Sequence, residues 1–208
     1  GRYAHSRRRA MNLKEIILLD LKTDLVSAWS EAFSRYDWVK PERADFFSKP
    51  AAAMVSPANS FGIMDGGLDR AIRHELGFGV ERKAQEMIIE RYHGEMPVGV
   101  AEVVPTDDER WPFLVVAPTM RVPEPMPTSI SAYLSFRAVV LAVARHNTQT
   151  DVRPIQSLVC PGMATGVGRM SARRCAAQMK VALDEARRNP EIPSFDRIHK
   201  VHQALRLQ

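Results

Sequence analysis

One stretch of the chain places an apolar strand, a polar turn and two adjacent glycines in the order that suits an anion-binding site. It runs Ala53-Met-Val-Ser-Pro-Ala-Asn59-Ser-Phe-Gly-Ile-Met-Asp-Gly66-Gly67-Leu-Asp69 and continues into a helical pattern. Glycines let the main chain approach a ligand closely, and the following helix directs unpaired N–H groups and the positive end of its dipole at the same point. The Asn59 side chain adds a donor and an acceptor. The stretch therefore predicts a phosphate-binding loop.

A second stretch, about a hundred residues later, repeats this pattern. The apolar run Ile155–Val159 precedes Cys160 and a glycine-rich segment, Pro161–Gly168. Two such loops after neighbouring parallel strands enclose one ligand, because the carboxyl ends of parallel strands meet at one edge of the sheet. The residues of this loop that we expect to face the ligand are Ala164, Thr165, Gly166, Val167 and Gly168.

One carboxylate stands where it can take part in chemistry at this site. Asp69 follows Asn59 by ten positions and falls in the first turn of the predicted helix. Its carboxylate is able to act as a general base toward water or to stabilise an oxocarbenium-like centre by charge. An Asp in a first helical turn is also an ordinary partner of the helix dipole. The residues alone leave both roles open.

Alternating strand and helix patterns must position these loops. The predicted strands are Glu15–Asp20, one near Trp38 and Val39, Ala51–Ser56, Val98–Val104, Phe113–Ala117 and Ile155–Val159, and the predicted helices are Asp24–Phe33, Leu68–Leu76, Val80–Tyr92, Ser129–Ala144 and Ser171–Arg188. Such alternation predicts an α/β fold with a mixed, mostly parallel central sheet and helices on both faces. The polar turn between the fourth and fifth strands predicts an antiparallel pair at a sheet edge.

Length and charge favour one folded domain with an additional segment at each end. The chain has 208 residues and 45% apolar content, which suit a single substantial core. Its formal charge is +5, but four arginines lie in the first ten residues, and without them about +1 remains. We therefore divide the chain into a basic arm or remnant at 1–10, a folded domain at 11–190, and a tail or extra helix at 191–208.

Composition also narrows the class of protein. No apolar run long enough for a membrane span and no signal-peptide pattern is present, so a cytoplasmic protein without membrane contact is the expectation. Cys160 and Cys175 lack metal-type spacing and are predicted to be reduced. The histidines show no zinc or triad spacing, so we expect neither a metal nor another cofactor. The arginine pairs on the last predicted helix are interpreted as solvated faces rather than nucleic-acid contacts.

The two loops resemble a known family. Asn59, Gly66-Gly67 and Asp69 followed by Ala71-Ile72 closely resemble the signature of the macro domain, the ADP-ribose-binding module. Family members carry an acidic element before that Asn, and Ala44-Asp45-Phe46-Phe47 matches it, with Asp45 fourteen residues ahead of Asn59. The loop after Cys160 resembles the family's second phosphate loop. Three matches in the family's order make the resemblance specific.

The resemblance implies a three-layer α/β/α fold and an ADP-ribose cleft. In the family, the residue matching Asp45 accepts a hydrogen bond from the adenine amine, and that matching Asn59 contacts the distal ribose. The predicted ligand-binding residues are Asp45, Phe46, Asn59, Gly66, Gly67, Leu68, Ala164, Thr165, Gly166, Val167 and Gly168. Each of these residues also has a purely structural interpretation. Asp45 could cap a turn or a helix starting near Phe46, and Asn59 could be a plain turn residue. The glycines could form the turn that enters the helix.

Two functions remain open within the resemblance. The first is an ADP-ribosyl hydrolase, in which Asn59 orients the bond to be broken and Asp69 assists water. The second is a non-catalytic reader of ADP-ribose or an NAD-derived nucleotide. Either would engage nucleic acid only as a modified substrate, and the oligomeric state is open. A third interpretation, an unrelated dinucleotide site, lacks the Gly-x-Gly-x-x-Gly spacing.

The sequence departs from the family at three places. Asp65 stands where glycine is common, Arg73 follows Ile72 where His is frequent, and Val167 stands where many members have an aromatic that shields the distal ribose. Asp65 either points to solvent or changes which ligands bind. Phe61 or Met163 could supply the missing aromatic or apolar cover.

Overall fold

A computed structural model describes residues 12–206; the predicted basic arm at 1–10 lies outside them. The strands are β1 (Glu15–Asp20), β2 (Val39–Arg43), β3 (Ala53–Ser56), β4 (Glu102–Pro105), β5 (Phe113–Val116) and β6 (Ser157–Cys160). The helices are α1 (Thr23–Ala32), α2 (Gly67–Leu76), α3 (Phe78–Tyr92), α4 (Ser131–His146), α5 (Ala172–Arg187) and α6 (Phe195–Arg206).

The six strands form one sheet in the order β2-β1-β6-β3-β5-β4. β1 pairs in parallel with β2 and β6, and β3 pairs in parallel with β6 and β5. β4 is antiparallel to β5 and ends the sheet, as the polar turn between them predicted. Because β6 lies between β1 and β3, the loops that follow these three strands are brought together at one edge.

Both faces of the sheet are covered, which gives three layers. Along β1, Ile16 and Leu18 belong to one buried cluster and Ile17 and Leu19 to another, as the two-residue period of a strand requires. Residues of α1, α4 and α5 pack in the first cluster, and residues of α2 and α3 pack in the second. The predicted α/β/α fold with a mostly parallel sheet is confirmed.

Two local predictions were wrong, and one alternative is excluded. The fourth strand begins at Glu102 rather than Val98, since the preceding segment turns through Gly99 at φ +108°. The helix predicted from Val80 begins at Phe78, so Gly79 lies inside α3, and Gly77, at φ +91°, separates the two helices by itself. No helix starts near Phe46, where the chain forms turns instead.

The tail forms a helix that packs on the domain. In α6, Leu205 is 3% exposed, and its carbonyl oxygen accepts a hydrogen bond of 3.1 Å from Nε2 of the buried Gln178 on α5. Arg197 pairs with Glu185 on the same partner helix. No helix within residues 12–206 is both long and apolar enough to cross a bilayer.

Replacing Leu205 with Ala is expected to lower the free energy of unfolding by about 2 to 3 kcal/mol, because it removes a buried side chain and leaves a cavity. Ile192, which is 95% exposed just before the same helix, provides the control. Urea unfolding of Leu205→Ala and Ile192→Ala measures both effects. Equal stability of the two variants would show that α6 is not part of the core.

Candidate functional site

A cleft of about 630 Å³ opens at the carboxyl edge of the sheet. Its walls come from the segments that follow β1, β2, β3, β5 and β6. This is the edge at which open parallel sheets bind ligands, because loops after adjacent strands diverge there and leave a crevice. The volume lies within the ordinary range for small-molecule sites, roughly 300–1,000 Å³.

Side-chain hydrogen bonds hold the first loop in shape. Oδ1 of Asn59 accepts from the backbone N–H groups of Phe61 (3.0 Å) and Ile63 (3.3 Å), and Nδ2 donates to the Ile63 carbonyl at 2.8 Å. One step further, Oε2 of Glu81 accepts from the Met64 N–H at 2.6 Å. Asn59 therefore organises the loop, and the second N–H of its amide has no acceptor among the described residues.

The glycine pair ends this loop and starts α2. Gly66 is the N-cap and has no side chain with which to cap the helix, so the first N–H groups of α2 have no acceptor in the helix or its cap. Gly67 has φ +57°, a region that residues with a Cβ rarely adopt. The space at both Cα atoms is open toward the cleft. The geometry suits an anion at the helix N-terminus.

The second loop offers a further row of amides. Within residues 12–206, none of the backbone N–H groups of residues 164–168 donates a hydrogen bond. The loop is held by its carbonyl oxygens instead: Ala164 O accepts from Met170 N at 3.0 Å, and Gly168 O accepts from Met126 N at 2.9 Å. A Cβ on Gly168 would lie 2.6 Å from the Ala164 oxygen, so this turn requires glycine.

Asp69 is a buried carboxylate in the wall of the cleft. It is 7% exposed, and its Oδ1 accepts a hydrogen bond of 2.7 Å from the hydroxyl of Ser56, the last residue of β3. Burial raises the pKa of Asp69 from 3.8 to about 6, the Ser56 hydrogen bond opposes this, and the charge of Glu81 adds to it. A carboxylate with such a pKa is ionised at neutral pH and is a stronger base than an exposed one.

The departures at Asp65 and Arg73 are connected. Nη1 of Arg73 lies 2.7 Å from Oδ1 of Asp65 and 3.2 Å from Oε1 of Glu81. The Arg73 guanidinium also lies over the Phe78 ring, 4.7 Å from its centroid. Asp65 lines the cleft, but its carboxylate is paired with a cation.

Asp45 and Phe46 lie in the turn that follows β2. Oδ1 of Asp45 accepts from the Phe47 N–H at 2.8 Å, so the side chain caps its own turn while Oδ2 accepts no hydrogen bond from the described residues. Phe46 is buried and meets Phe47 edge to face, with 5.4 Å between ring centroids. Asp45 therefore caps its turn with one carboxylate oxygen and keeps the other without a partner among the described residues.

Aliphatic side chains border the cleft. Leu21, Ile63 and Val167 are 62%, 44% and 50% exposed and line its wall. The suggestion that Phe61 or Met163 covers the site was wrong, because neither lines the cleft. Phe61 packs beneath the Arg121 guanidinium, and Met163 is fully buried beside the Cys160 and Cys175 sulfur atoms.

The structure brings all the predicted site residues to this one cleft: Asp45, Phe46, Asn59, Gly66, Gly67, Leu68, Asp69, Ala164, Thr165, Gly166, Val167 and Gly168. The segments Leu19–Lys22 and Thr119–Pro123 were not predicted from the sequence, and all of their residues except Arg121 and Val122 line the cleft. The available signal was their position at the carboxyl end of β1 and shortly after β5. Neither carries a glycine or a motif, and only the strand order shows which strand ends converge.

No metal-type cluster of three or more His, Cys, Asp or Glu side chains occurs in the described part of the chain. His146 is buried, with its Nε2 2.8 Å from the Arg153 carbonyl oxygen, and packs against the Phe113 ring. Cys160 and Cys175 are free and buried, and burial raises the pKa of both thiols. These groups belong to the core rather than to the cleft.

Comparison with known families supports the same assignment. Residues 55–179, which include the first glycine loop, Asp69 and the second loop, match the family described as "Macro domain". The chain is a macro domain. Over 135 residues, 64% of the chain, it is 32% identical to an uncharacterised protein of Aeropyrum pernix. The chain spans 63% of the length of that relative.

Solved macrodomains share the fold. The macrodomain of Mycobacterium tuberculosis DarG aligns with a TM-score of 0.55 at 16% identity, covering 70% of this chain and 86% of that one. A glycine-to-valine mutant of the Oceanobacillus iheyensis macrodomain, solved with ADPR, aligns with a TM-score of 0.57 at 19% identity, covering 71% and 77%. At this level of identity the likeness concerns the fold.

The burial of Asp69 is expected to lower the free energy of unfolding at neutral pH by a measurable amount. Because its pKa is raised from 3.8 in the unfolded chain to about 6, the stability present near pH 4 is lost as the pH rises toward 6. Asp69→Asn carries no such charge and is expected to be more stable than wild type by about 1 to 3 kcal/mol at neutral pH. Unfolding measured between about pH 4 and pH 7.5 tests this. An equal advantage at every pH would contradict a desolvated, ionised Asp69.

Proposed function

We propose that this macro domain binds ADP-ribose in the cleft at the carboxyl edge of its sheet. The observation that carries the proposal is the meeting of two loops, Gly66–Asp69 and Ala164–Gly168, which line one cavity and whose backbone amides have no acceptor within residues 12–206. A diphosphate supplies the negative oxygens that such amides and the N-terminus of α2 favour. Binding through backbone amides needs no cationic side chain at the diphosphate.

The remaining parts of the ligand have partners of matching chemistry. In this proposal Oδ2 of Asp45, which accepts no hydrogen bond from the described residues, accepts one from the adenine amine beside the buried Phe46 ring. The second amide N–H of Asn59, which has no acceptor among the described residues, donates to a ribose hydroxyl in this proposal, while the loop uses the other polar atoms of the side chain. The ADPR in the Oceanobacillus iheyensis macrodomain supports the choice of ligand.

Calorimetric titration of ADP-ribose against wild type is expected to give micromolar-range binding, with AMP and NAD as weaker comparators. Asn59→Ala is expected to weaken ADP-ribose binding by about tenfold or more, because it removes a ligand donor and the bonds that shape the loop. Asn147→Ala is the matched control: that side chain also crosslinks the backbone, through both the N–H and the carbonyl of Ile155, but lies outside the cleft.

Absence of ADP-ribose binding to the wild type would refute the proposal. An equal loss of affinity in the two asparagine variants would show that Asn59 acts only through general stability. Thermal unfolding of both variants separates that effect from a loss confined to the cleft.

We further propose that the domain hydrolyses an ADP-ribosyl linkage. In this reaction the bond between the anomeric carbon and the leaving atom breaks, and its electron pair departs with that atom. A water oxygen forms the new bond to the anomeric carbon, and its proton passes to the Asp69 carboxylate. Burial supports this role, since it raises the proton affinity of Asp69 while leaving it ionised at neutral pH.

A non-catalytic reader is the second candidate, and one observation favours it. Asp69 is only 7% exposed and has a structural partner in Ser56. A carboxylate in the first turn of α2 also stabilises that helix without taking part in chemistry. Both candidates require the same ADP-ribose cleft, so only turnover distinguishes them.

Release of ADP-ribose from mono-ADP-ribosylated protein and from ADP-ribosylated DNA tests the hydrolase. Asp69→Asn is expected to lower kcat by about a hundredfold or more, with ADP-ribose affinity unchanged within about threefold. The wild-type rate should rise with pH and reach half its maximum near the Asp69 pKa of about 6. Asp24→Asn, in the first turn of α1 and outside the cleft, is the control.

Wild-type binding without release of ADP-ribose from any substrate would identify a reader. Full turnover in Asp69→Asn would exclude Asp69 as the base while leaving hydrolysis standing. These outcomes are distinguishable because binding and release are measured on the same preparations.

A further inference from the structure

Three charged residues form a network beside the first glycine loop. The Arg73 guanidinium on α2 lies between the carboxylates of Asp65 and Glu81, at 2.7 Å and 3.2 Å. Glu81, on α3, also accepts the Met64 N–H at 2.6 Å. One carboxylate thus belongs to the segment 64–65 and the other binds its backbone, and this segment leads directly into the glycine pair.

The network holds more negative than positive charge, and it lies next to a site suited to anions. Asp65 lines the cleft, and 72% of its side chain is exposed, whereas only 16% of the Arg73 side chain is exposed. The charge of Glu81 reaches the cleft wall, since it adds to the raised pKa of Asp69. Without Arg73, two uncompensated carboxylates would repel a diphosphate at this end of the cleft.

Geometry restricts what Arg73 does. Its Nη1 is engaged by both carboxylates, and the face of its guanidinium lies over the Phe78 ring at 4.7 Å. Arg73 is not among the residues that line the cleft. In this arrangement Arg73 is not a direct phosphate ligand, so its effect on a ligand is electrostatic and includes the compensation of Asp65 and Glu81.

We infer that Arg73 is a positioning residue that determines affinity for doubly charged ligands: it neutralises Asp65 and Glu81 so that the amides of the glycine loop accept a diphosphate. This inference rests on the proposed binding of ADP-ribose. It explains how Asp65 is compatible with an anion site at a position where glycine is common in the family.

The same chain contains a matched control network. Arg110 pairs with Glu75 on α2 at 2.9 Å and with Asp108 at 2.7 Å, and its guanidinium lies over the Trp111 ring at 4.6 Å. It thus repeats the arrangement of one arginine, two carboxylates and one aromatic ring, and each network has one member on α2. None of its members lines the cleft.

The experiment compares Arg73→Gln, the double variant Asp65→Asn with Arg73→Gln, and Arg110→Gln by calorimetry at low and high salt. We expect Arg73→Gln to weaken ADP-ribose binding about five- to tenfold at low salt, less at high salt, and to change adenosine binding by less than about twofold. The double variant should recover most of the loss. Arg110→Gln should leave both affinities within about twofold of wild type.

Wild-type affinity in Arg73→Gln would overturn the inference. So would an equal loss for adenosine and ADP-ribose, or a loss that Asp65→Asn does not relieve, because either would mean that Arg73 only maintains the fold of the loop. Thermal unfolding of each variant identifies any that does not fold, and Arg73→Lys, which keeps the charge, then replaces Arg73→Gln and should retain ADP-ribose binding within about threefold.

A second readout does not depend on the ligand. In ligand-free protein, the Asp69 carboxyl faces the Ser56 hydroxyl and the charge of Glu81. Removing the cation beside Glu81 should raise the Asp69 pKa further, which carbon-13 NMR titration measures. If wild type fails to bind ADP-ribose, the proposed function falls, yet a raised Asp69 pKa in Arg73→Gln would still support neutralisation by Arg73. An unchanged Asp69 pKa would overturn it.

Discussion

The cleft depends on backbone N–H groups that neither the sheet nor the helices consume. Gly66 ends the first loop without capping α2, and the amides of residues 164–168 donate to no described acceptor. Unpaired amides are costly when buried, so they are kept at an open cavity where a ligand or water satisfies them. The parallel order of β1, β6 and β3 sets both rows of amides at one edge of the sheet.

The loops keep this shape because side chains and carbonyl oxygens form the hydrogen bonds that hold them. In the first loop, the Asn59 side chain and the Glu81 carboxylate bind the backbone between Phe61 and Met64. In the second loop, carbonyl oxygens accept bonds from outside residues, and the turn closes so tightly at Gly168 that a Cβ does not fit. Rigid loops are expected to bind without a large cost of ordering.

At Asp69, stability conflicts with the proposed role as a base. Its burial disfavours the ionised form, with only the Ser56 hydroxyl in compensation, and this raises its pKa to about 6. A fold selected for stability alone would place a neutral amide or an apolar residue here. The same desolvation that costs stability makes the carboxylate a better base, which is why stability and turnover of Asp69→Asn are expected to move in opposite directions.

The sequence by itself determined the α/β class and the two glycine loops, because those depend on local patterns: apolar runs, adjacent glycines, and Asn59 ten residues before Asp69. That the two loops meet follows from the pairing of β3 with β6, which the tertiary structure decided. The tertiary structure alone decided which further loops complete the cleft and how Asp65 is neutralised. Its partner Arg73 and the third member Glu81 lie on two different helices. Their pairing depends on how α2 and α3 pack, a long-range relation that no local spacing encodes.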